Sequence, residues 1–502
     1  MSVIRRATTA VAVWTPRVIA SRWFFVAVVA AYVAGAALIA LAARPFLLYD
    51  EFYHFRVAEL YTGQWSPWIA DGSDVTHLGD VERLSSYLFH WLMSFPLRVA
   101  QAAGLGEFGQ VVVLRLICVA LSAAALPIYR SILRRVGLSA ALSNAAMAVF
   151  ILPPVVMFVG ATVNYDNLLL LLAAGCFALA VRAYTSERAD IPALVGVVAL
   201  GCVATLTKTA FLPAFAAIGV MLVINEIVRG RAEGFGARWS ADQRPWLRRP
   251  ATWAILAGTV VALVLFFERV VGNVLAYGTP DPDCARVQTE ELCRTFGVWR
   301  RNEALEEAAA GNSVRLGNSL SYLITSWLPE SVRTALVVGG ETARGIQTSS
   351  GSPIMQATIG WVAIIGAFLV VLASTRAFRS RTARVLAVAF ATYSAALFWT
   401  NLGHFVRFDV PLAIQARYQL MFLPLLVGAA LAMFGRIVDR TQRSPIAWKL
   451  AAVAFVLFLA LQGAGPITYL VGSDASWIAP ESPIVDLVPF LRRIAALDVI
   501  GV

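Results

Sequence analysis

Two adjacent carboxylates, Asp50 and Glu51, follow directly after a long apolar stretch, and His54 and Arg56 come a few residues later. Charged groups are costly at the end of a membrane helix, so they commonly serve a function there. In a helix that includes these residues, Asp50 and His54 share a face and can share a proton. A carboxylate in apolar surroundings has a raised pKa and can act as a general base. The stretch therefore predicts acid–base chemistry, and an ordinary polar cap on a membrane helix is the simpler alternative.

Further polar side chains stand at the ends of other apolar stretches, within 160–167, 207–209 and 403–418. The chain has only two lysines, and one of them, Lys208, lies between two threonines. Arginine holds a phosphate with a bidentate fork and lysine holds it as a point charge. A base opposite such cations suits a transfer in which an acceptor hydroxyl is deprotonated while a lipid phosphate leaves a sugar. The candidates in these regions are Asn164, Asp166, Lys208, Arg407, Asp409, Arg417 and Tyr418.

The composition places these residues in a membrane protein. Of the 502 residues, 59% are hydrophobic and 14% are charged, which is too little charge to cover a soluble surface. The net charge of +11 does not point to nucleic acid, because the arginines cluster in short loops between apolar segments. This distribution is typical of cytoplasmic loops.

About 11 apolar segments are long enough to cross a bilayer, which takes roughly 20 residues. With these spans, every strongly basic loop falls on one face and the polar loops fall on the other. We therefore expect one all-α, polytopic domain over 1–502, with its N-terminus in the cytoplasm and its first helix as an uncleaved anchor. The predicted spans are 23–48, 111–132, 140–159, 168–184, 191–207, 210–227, 251–271, 353–373, 385–401, 419–434 and 448–462.

Three segments are expected outside the membrane: 49–105, 272–351 and the tail 466–502. The first carries the acidic pair and an amphipathic stretch at 84–103, which is expected to lie along the interface. If this stretch crossed the bilayer instead, all later segments would be inverted. The basic residues that follow the next span favour the interfacial position.

Cys284 and Cys293 lie together in the second external segment. An oxidising compartment would allow a local disulfide between them. Free thiols are the alternative.

With these motifs identified, the sequence resembles the GT-C superfamily of membrane glycosyltransferases, which includes protein mannosyltransferases and the lipid A aminoarabinose transferase. The resemblance rests on the acidic pair at the start of the first external loop and on a second acidic site at 164–166. Three motifs, Asp-Glu-x-x-His-Phe from Asp50, Thr-Lys at 207–208 and Gln-x-Arg-Tyr from Gln415, are similar to those of an uncharacterised bacterial membrane family grouped with it. The departures from that family's pattern are Phe52 for proline, Ala210 with Phe211 in the second motif, and Ala416 for glycine.

The resemblance implies a catalytic group at the outer face. Asp50 is expected to be the general base, and Glu51 to orient it or to bind a metal ion. Asp166 is expected to assist at the same site or to bind the metal. A divalent cation is a possible cofactor, and no other cofactor is indicated.

The resemblance also implies binding roles. Lys208 and Arg417 are expected to hold the lipid phosphate, with Arg407 as a weaker candidate. His54 is expected to tune Asp50 or to contact the donor. The expected substrate-contacting residues are His54, Arg56, Asn164 and Tyr418.

Simpler structural roles remain open for several of these residues. Asp166 suits the cap of the helix that follows it, and Lys208 suits an interfacial lysine that extends its side chain towards water. Arg407 and Asp409 are close enough in sequence to form a local ion pair.

The expected function is an inverting transfer of a sugar from a polyprenyl-phosphate donor to an acceptor hydroxyl on a cell-envelope glycan, lipid or protein. The expected location is the bacterial plasma membrane, with the site on the extracytoplasmic face, in contact with membrane lipids and not with nucleic acid. One alternative is a transporter or flippase of a polyprenyl-linked saccharide, which typically carries ionisable groups near the bilayer midplane. Another is a surface-glycan ligase or polymerase that uses a lipid-diphosphate donor.

Overall fold

The structure is a computed structural model, and it is almost entirely helical. It describes residues 17–47, 49–69, 85–239, 246, 248–309, 319–336, 339–342, 345–348, 365–366, 369, 371–440, 469, 475–491 and 493. One small antiparallel hairpin interrupts the helices, with β1 (Gly339–Thr342) paired to β2 (Gly345–Thr348). The expected all-α class is confirmed apart from this hairpin.

The described helices have the following order along the chain. They are α1 (Arg22–Ala42), α2 (Glu51–Leu60), α3 (Leu88–Ala102), α4 (Glu107–Arg135), α5 (Ala140–Phe150), α6 (Pro154–Gly160), α7 (Asp166–Thr185), α8 (Ile191–Thr207), α9 (Leu212–Glu233), α10 (Phe235–Trp239), α11 (Pro250–Phe266), α12 (Gly272–Tyr277), α13 (Cys284–Val287), α14 (Glu290–Cys293), α15 (Gly297–Ala309), α16 (Ser319–Tyr322), α17 (Leu328–Leu336), α18 (Arg384–Phe408) and α19 (Leu423–Arg440). Short 3₁₀ turns lie at Tyr61–Gly63, Thr209–Phe211, Ala416–Gln419 and Ala475–Trp477, and π-helical turns lie at Phe267–Val271 and Leu323–Trp327.

Six described helical segments are long and apolar enough to cross a membrane, which supports a multi-pass membrane protein. They are Arg22–Ala42, Glu107–Arg135, Asp166–Thr185, Thr209–Glu233, Pro250–Tyr277 and Arg384–Phe408. Two shorter apolar helices, Ile191–Thr207 and Leu423–Ile437, also coincide with predicted spans. The predicted span 448–462 and most of 353–373 lie outside the described residues, so the number of about 11 spans stays a prediction.

Two of the predicted spans differ from the helices in the structure, one in its straightness and one in its length. The span 140–159 is not one straight helix, because α5 and α6 are bent by 73° around Pro153 and Pro154. Proline lacks the backbone N–H that continues a helix, and it restricts the residue before it. For the same reason α1 ends at Ala42 and not at residue 48, since Arg44 precedes Pro45 and Ala43 is already extended.

The apolar core lies where α1, α4 to α9, α18 and α19 pack against one another. Helices α1 and α6 approach so closely that a Cβ atom on Gly160 would lie 2.1 Å from the Tyr32 hydroxyl oxygen. Only glycine allows this contact without displacing the tyrosine. The approach fixes α6 beside α1, and the chain that leaves α6 continues into the polar loop at 161–165.

The described part of 49–105, the segment predicted to be the first external one, contains α2 and α3, which pack together beside the start of α4. Helix α3 buries one face through Phe89, Met93 and Leu97, whereas Val99 is exposed. This agrees with the amphipathic stretch expected at 84–103.

The described part of the C-terminal segment is attached to the end of α1. The backbone N–H of Arg44 donates to the carbonyl of Trp477 at 2.8 Å, and the N–H of Ala479 donates to the carbonyl of Ala42 at 2.9 Å. The chain therefore brings residues from both of its ends to the turn that precedes α2.

Candidate active site

The turn between α1 and α2 contains residues in a rare backbone conformation. Phe46, Tyr49 and Asp50 have positive φ angles of 63°, 44° and 58°. This left-handed region costs a non-glycine residue about 1–2 kcal/mol. Such a turn persists only where surrounding contacts hold it. Asp50 lies just before the first residue of α2, and not within the helix.

The Glu51 carboxylate holds this turn from the buried side. Its Oε1 accepts from Arg115 Nε at 2.8 Å and from the Val163 N–H at 3.0 Å. Its Oε2 accepts from Arg115 Nη2 at 2.6 Å and from the Phe46 N–H at 2.9 Å. These four bonds use the acceptor sites of the carboxylate. The geometry therefore favours the expected role in orienting Asp50, and it leaves Glu51 ill-suited to bind a metal ion.

Arg115 is fully used in the same contact. Its Nη1 donates to the carbonyls of Ala40 and Ala43 at 3.1 and 2.6 Å, and its Nη2 also donates to the carbonyl of Arg44 at 3.0 Å. With the two bonds to Glu51, all five N–H groups of the guanidinium have acceptors. We call this the Glu51–Arg115 latch. It ties α4 to the end of α1 and to the start of α2.

Sequence reasoning missed Arg115, although a signal was present. It is a lone arginine in the apolar part of α4, and a buried charge in a membrane segment usually has a specific partner. The sequence did not reveal that this partner is the second carboxylate of the acidic pair.

Asp50 stands in a different environment from its neighbour. Its side chain is 60% exposed, and its Oδ2 accepts a short hydrogen bond from Arg417 Nη2. The Arg417 side chain is only 3% exposed. Its Nη1 donates to the Tyr49 carbonyl at 3.3 Å, and its guanidinium lies over the rings of Tyr49 and Tyr418. The structure thus joins an exposed carboxylate directly to a buried cation, whereas the sequence predicts the two only on opposite sides of a bound sugar phosphate.

A second ion pair lies beside the first. Lys208 Nζ contacts Asp166 Oδ1 at 2.6 Å, and both side chains are buried. The ammonium lies 4.4 Å from the ring centroid of Tyr165 and 4.7 Å from that of Tyr418. Because Arg417 lies 5.3 Å from the Tyr418 ring centroid, this tyrosine is shared by both cations. Lys208 is therefore part of the cluster and does not extend to the surface.

Asn164 connects the two ion pairs. Its Nδ2 donates to the Tyr49 carbonyl at 3.1 Å, and its Oδ1 accepts from the Asp166 N–H at 2.9 Å. Asp166 is the first residue of α7 and not its cap, and the Asn164 amide oxygen accepts from the first N–H of the helix. The Asp166 side chain faces Lys208 instead, and its Oδ2 is buried without a hydrogen-bond partner among the described residues.

The expected sharing of a proton between Asp50 and His54 is wrong. His54 Nδ1 lies 2.9 Å from His90 Nε2 of α3, and the two rings are stacked. Burial lowers the pKa of His90 to about 3. Burial, together with His90 and the nearby cations, holds the pKa of His54 well below its usual value. Asp50 precedes α2, so the i to i+4 neighbour rule does not join its side chain to His54.

Two predicted arginines lie outside the cluster. Arg56 pairs with Glu59 at 2.8 Å and with Glu107 at 3.0 Å. Arg407 pairs with Glu306 of α15 at 2.7 Å, and both side chains are more than half exposed. The structure therefore does not bring Arg407 to the expected phosphate position.

The segment 272–351, which the sequence predicts to be external, contains a disulfide between Cys284 and Cys293, whose Cα atoms are 5.8 Å apart. It joins the short helices α13 and α14. Within the ranges that the structure describes, no group of three or more His, Cys, Asp or Glu side chains is arranged to hold a metal ion.

The cluster combines one open carboxylate with two buried cations and one buried carboxylate. Its charged members come from the turn before α2, the start of α7, the end of α8 and the 3₁₀ turn at Ala416–Gln419. Such a site can take a proton from a group outside while it stabilises an anion within.

No protein-family model matches the sequence, and no curated protein matches it. Among solved structures, the chain is similar to the archaeal oligosaccharyltransferase AglB from Archaeoglobus fulgidus in complex with an inhibitory peptide and a dolichol-phosphate. The identity is 14%, the TM-score is 0.39, and the match covers 88% of this chain and 55% of AglB. The chain thus spans little more than half the length of AglB.

The chain is also similar to ArnT from Cupriavidus metallidurans bound to undecaprenyl phosphate. The identity is 16%, the TM-score is 0.44, and the match covers 95% of this chain and 70% of ArnT. Likeness at these identities concerns the fold alone, so the activity of this chain has to follow from its own site.

Proposed function

We propose that the protein is a membrane glycosyltransferase that transfers a sugar from a polyprenyl-phosphate donor to an acceptor hydroxyl on the extracytoplasmic face. One observation carries the proposal. The Asp50 carboxylate is 60% exposed, whereas the two cations beside it, Arg417 and Lys208, are buried. An acceptor from outside can reach the base, and the charge of the leaving phosphate can be neutralised in a protected position.

Asp50 is the general base of this proposal. Its carboxylate takes the proton of the acceptor hydroxyl as the acceptor oxygen bonds to the anomeric carbon. The bond between that carbon and the phosphate oxygen breaks, and polyprenyl phosphate leaves with one additional negative charge. Attack from the face opposite the leaving group inverts the anomeric configuration.

Arg417 and Lys208 stabilise the phosphate. Both are buried beside Tyr418, where an electrostatic interaction is stronger than in water. Arg417 Nε is also buried without a hydrogen-bond partner among the described residues. A buried donor of this kind costs about 1–3 kcal/mol while it is unpaired, and a phosphate oxygen would satisfy it.

Binding of the donor and release of the base are coupled in this arrangement. Arg417 pairs with Asp50 while no phosphate competes for it. A phosphate that takes the guanidinium frees the Asp50 carboxylate for the acceptor. The base therefore becomes available only when the donor is in place.

Asp166 and Glu51 act through their neighbours. Asp166 fixes the ammonium of Lys208 through one carboxylate oxygen. Glu51 fixes the turn that presents Asp50 through the Glu51–Arg115 latch. Both roles replace the direct proton transfer or metal binding that the sequence also allowed for these residues.

The lipid phosphates bound in AglB and ArnT belong to the class of carrier that we propose for the donor. We propose the same class for this chain because of its own cations. The sugar and the acceptor class, whether glycan, lipid or protein of the cell envelope, are left to experiment.

The test uses the full chain in nanodiscs. Binding of undecaprenyl phosphate is measured first, and then the transfer of radiolabelled sugar from membrane-extracted polyprenyl-phosphate sugars. Asp50→Asn is expected to abolish transfer with little change in lipid affinity, and Arg294→Ala, which removes an exposed ion pair with Glu303, serves as the control. Near-normal transfer by Asp50→Asn would remove Asp50 from the mechanism. Preferential binding of undecaprenyl diphosphate would favour the ligase or polymerase instead.

A further inference from the structure

A groove of about 490 Å³ lies beside the turn that presents Asp50. Its walls come from the turn after α1, the start of α4 and the C-terminal segment. Small-molecule sites commonly have volumes of about 300–1,000 Å³. The side chains that matter for its chemistry are Arg44, Phe46, Glu107, Phe108 and Glu481.

Phe46 belongs both to the groove and to the turn that carries Asp50. The N–H of this residue is held by Glu51 in the Glu51–Arg115 latch, and Asp50 lies four residues later in the same turn. The ring of Phe46 packs edge-on against Phe52, with 5.4 Å between centroids. The guanidinium of Arg56 lies 5.6 Å from the Phe46 ring centroid. Phe46 is thus a fixed aromatic wall next to the proposed base.

The lining has the character of a site for an uncharged, polyhydroxylated ligand. Phe46 and Phe108 offer apolar surface against which the C–H faces of a sugar can pack. Glu107 and Glu481 are exposed carboxylates, which accept hydrogen bonds from hydroxyl groups. Arg44 is exposed and donates. Neither Arg44 nor Glu481 forms an ion pair with any residue that the structure describes.

The groove is distinct from the cations that suit the donor phosphate. Lys208 follows α8 and Arg417 follows α18, whereas the groove is built from the turn after α1, the start of α4 and the C-terminal segment. Arg44 balances the charge of Glu481, and Glu107 is already paired with Arg56 at 3.0 Å, so the groove has no excess of positive charge to hold a phosphate. The two substrates of a transfer would therefore contact different elements on either side of one turn.

The geometry points to this groove as the binding site of a neutral saccharide, which is the acceptor of the transfer. This inference rests on the proposed glycosyltransferase function and adds the class of acceptor. It also gives the C-terminal segment a role, because Glu481 forms part of the wall and Ala479 anchors it to Ala42.

The test measures binding of two neutral tetrasaccharides, mannotetraose and arabinotetraose, and of the acidic tetragalacturonate to the full chain in nanodiscs. At least one neutral tetrasaccharide is expected to bind at millimolar concentration, and tetragalacturonate is expected to bind more weakly. Phe108→Ala is expected to weaken binding of the neutral sugar about tenfold, because it removes an aromatic wall. Glu481→Gln keeps the shape of the wall and is expected to weaken binding about threefold.

One measurement separates this inference from the proposed function, and one control variant accompanies it. The affinity for undecaprenyl phosphate is expected to stay within about twofold of the unaltered protein in both groove variants, since they leave the buried cations in place. Glu291→Gln, which changes an exposed carboxylate of α14, is the matched control for Glu481→Gln.

The outcomes decide between the two ideas. Unchanged sugar binding in Phe108→Ala and Glu481→Gln, tighter binding of tetragalacturonate, or no binding of any tetrasaccharide would overturn the groove as a neutral-saccharide site. In each case the proposed function would stand if undecaprenyl phosphate still bound and transfer still required Asp50. If the unaltered protein did not bind undecaprenyl phosphate and showed no transfer that depends on Asp50, the proposed function would instead be rejected.

Discussion

Replacing Arg115 with methionine removes every hydrogen bond that the guanidinium makes to Glu51 and to the end of α1. The substitution keeps an apolar side chain of suitable length in α4. It leaves the Glu51 carboxylate buried without its cation, and it leaves three backbone carbonyls at the end of α1 without that donor. The effect should be felt in the turn that presents Asp50.

The expected cost follows from the burial of the pair. Removing one partner of a buried ion pair costs about 3–5 kcal/mol, because the other charge stays in a low-dielectric environment. Native proteins are stable by only about 5–15 kcal/mol. The three left-handed residues of the turn, Phe46, Tyr49 and Asp50, add about 1–2 kcal/mol of strain each, which the latch must offset.

The assay is equilibrium unfolding of the purified protein in mixed micelles, with SDS as the titrant. Arg182→Met is the matched control, because Arg182 pairs with Asp190 while 48% exposed. An ion pair of this kind contributes about 0–1 kcal/mol. The double variant Glu51→Gln with Arg115→Met removes both charges, so it is expected to be at least about 1 kcal/mol more stable than Arg115→Met alone.

Two results would contradict this reasoning. If Arg115→Met cost no more than Arg182→Met, the buried pair would not hold the turn. If the double variant were destabilised by the sum of the two single effects, Glu51 and Arg115 would act independently. Binding of undecaprenyl phosphate in the same samples shows whether a damaged turn also disturbs Arg417.

Three further predictions concern other parts of the molecule. Lys208→Ala is expected to weaken binding of undecaprenyl phosphate about tenfold or more. Asp166→Asn is expected to weaken it less, because the Lys208 ammonium remains. If lipid titrations gave the same affinity for the unaltered protein and both variants, the phosphate-binding role of Lys208 would be excluded. The lowered pKa of His90 gives stability that is present above pH 6.5 and lost as pH falls from 6.5 towards 3, so His90 accounts for a loss of about 2 kcal/mol at pH 5. His90→Gln should remove this share of the loss in unfolding titrations, while the remaining pH dependence comes from the buried His54. Replacing Cys284 and Cys293 with serine opens a loop with a sequence separation of 9 and is expected to cost about 2–3 kcal/mol in unfolding, with no change in lipid binding.

The sequence predicted neighbouring residues correctly where their depth in the membrane determines which of them come together. Asp50, Asp166, Lys208 and Arg417 each stand at the end of an apolar segment, and the charge pattern of the loops placed them on one face. The structure brings all four into one cluster. Polar groups at the same ends of packed helices lie in one layer of the protein. Their proximity could therefore be predicted without knowing how the helices pack.

Partner choice could not be predicted in the same way. Arg407 lies in the last turn of α18, ten residues before Arg417, yet it pairs with Glu306 of α15. Arg115 lies far from Glu51 in sequence, and only the packing of α4 against α1 brings them together. Such pairs depend on the rotation of each helix about its axis, which apolar content alone does not determine.

The error at Asp50 and His54 has a local cause. The i to i+4 rule holds only inside a helix, and the left-handed conformation of Tyr49 and Asp50 places Asp50 before α2 begins. A sequence with no glycine or asparagine in this turn gives no sign of such a conformation. The latch that imposes it is a tertiary contact.

The different environments of the two neighbouring carboxylates explain why the chain carries both. Glu51 points inwards, where Arg115 and two backbone N–H groups occupy its oxygens. Asp50 points outwards, and among the described residues its side chain is held by Arg417 alone. A base has to be reachable, and a reachable side chain on a flexible turn would lose orientation. By burying one acid, the chain can hold its neighbour at the surface in a fixed position. If this division of roles is correct, Glu51→Gln should lower sugar transfer, because it disturbs the position of Asp50, while lipid affinity is preserved. Asp50→Glu keeps a carboxylate but displaces it, so this variant should not have normal transfer activity either.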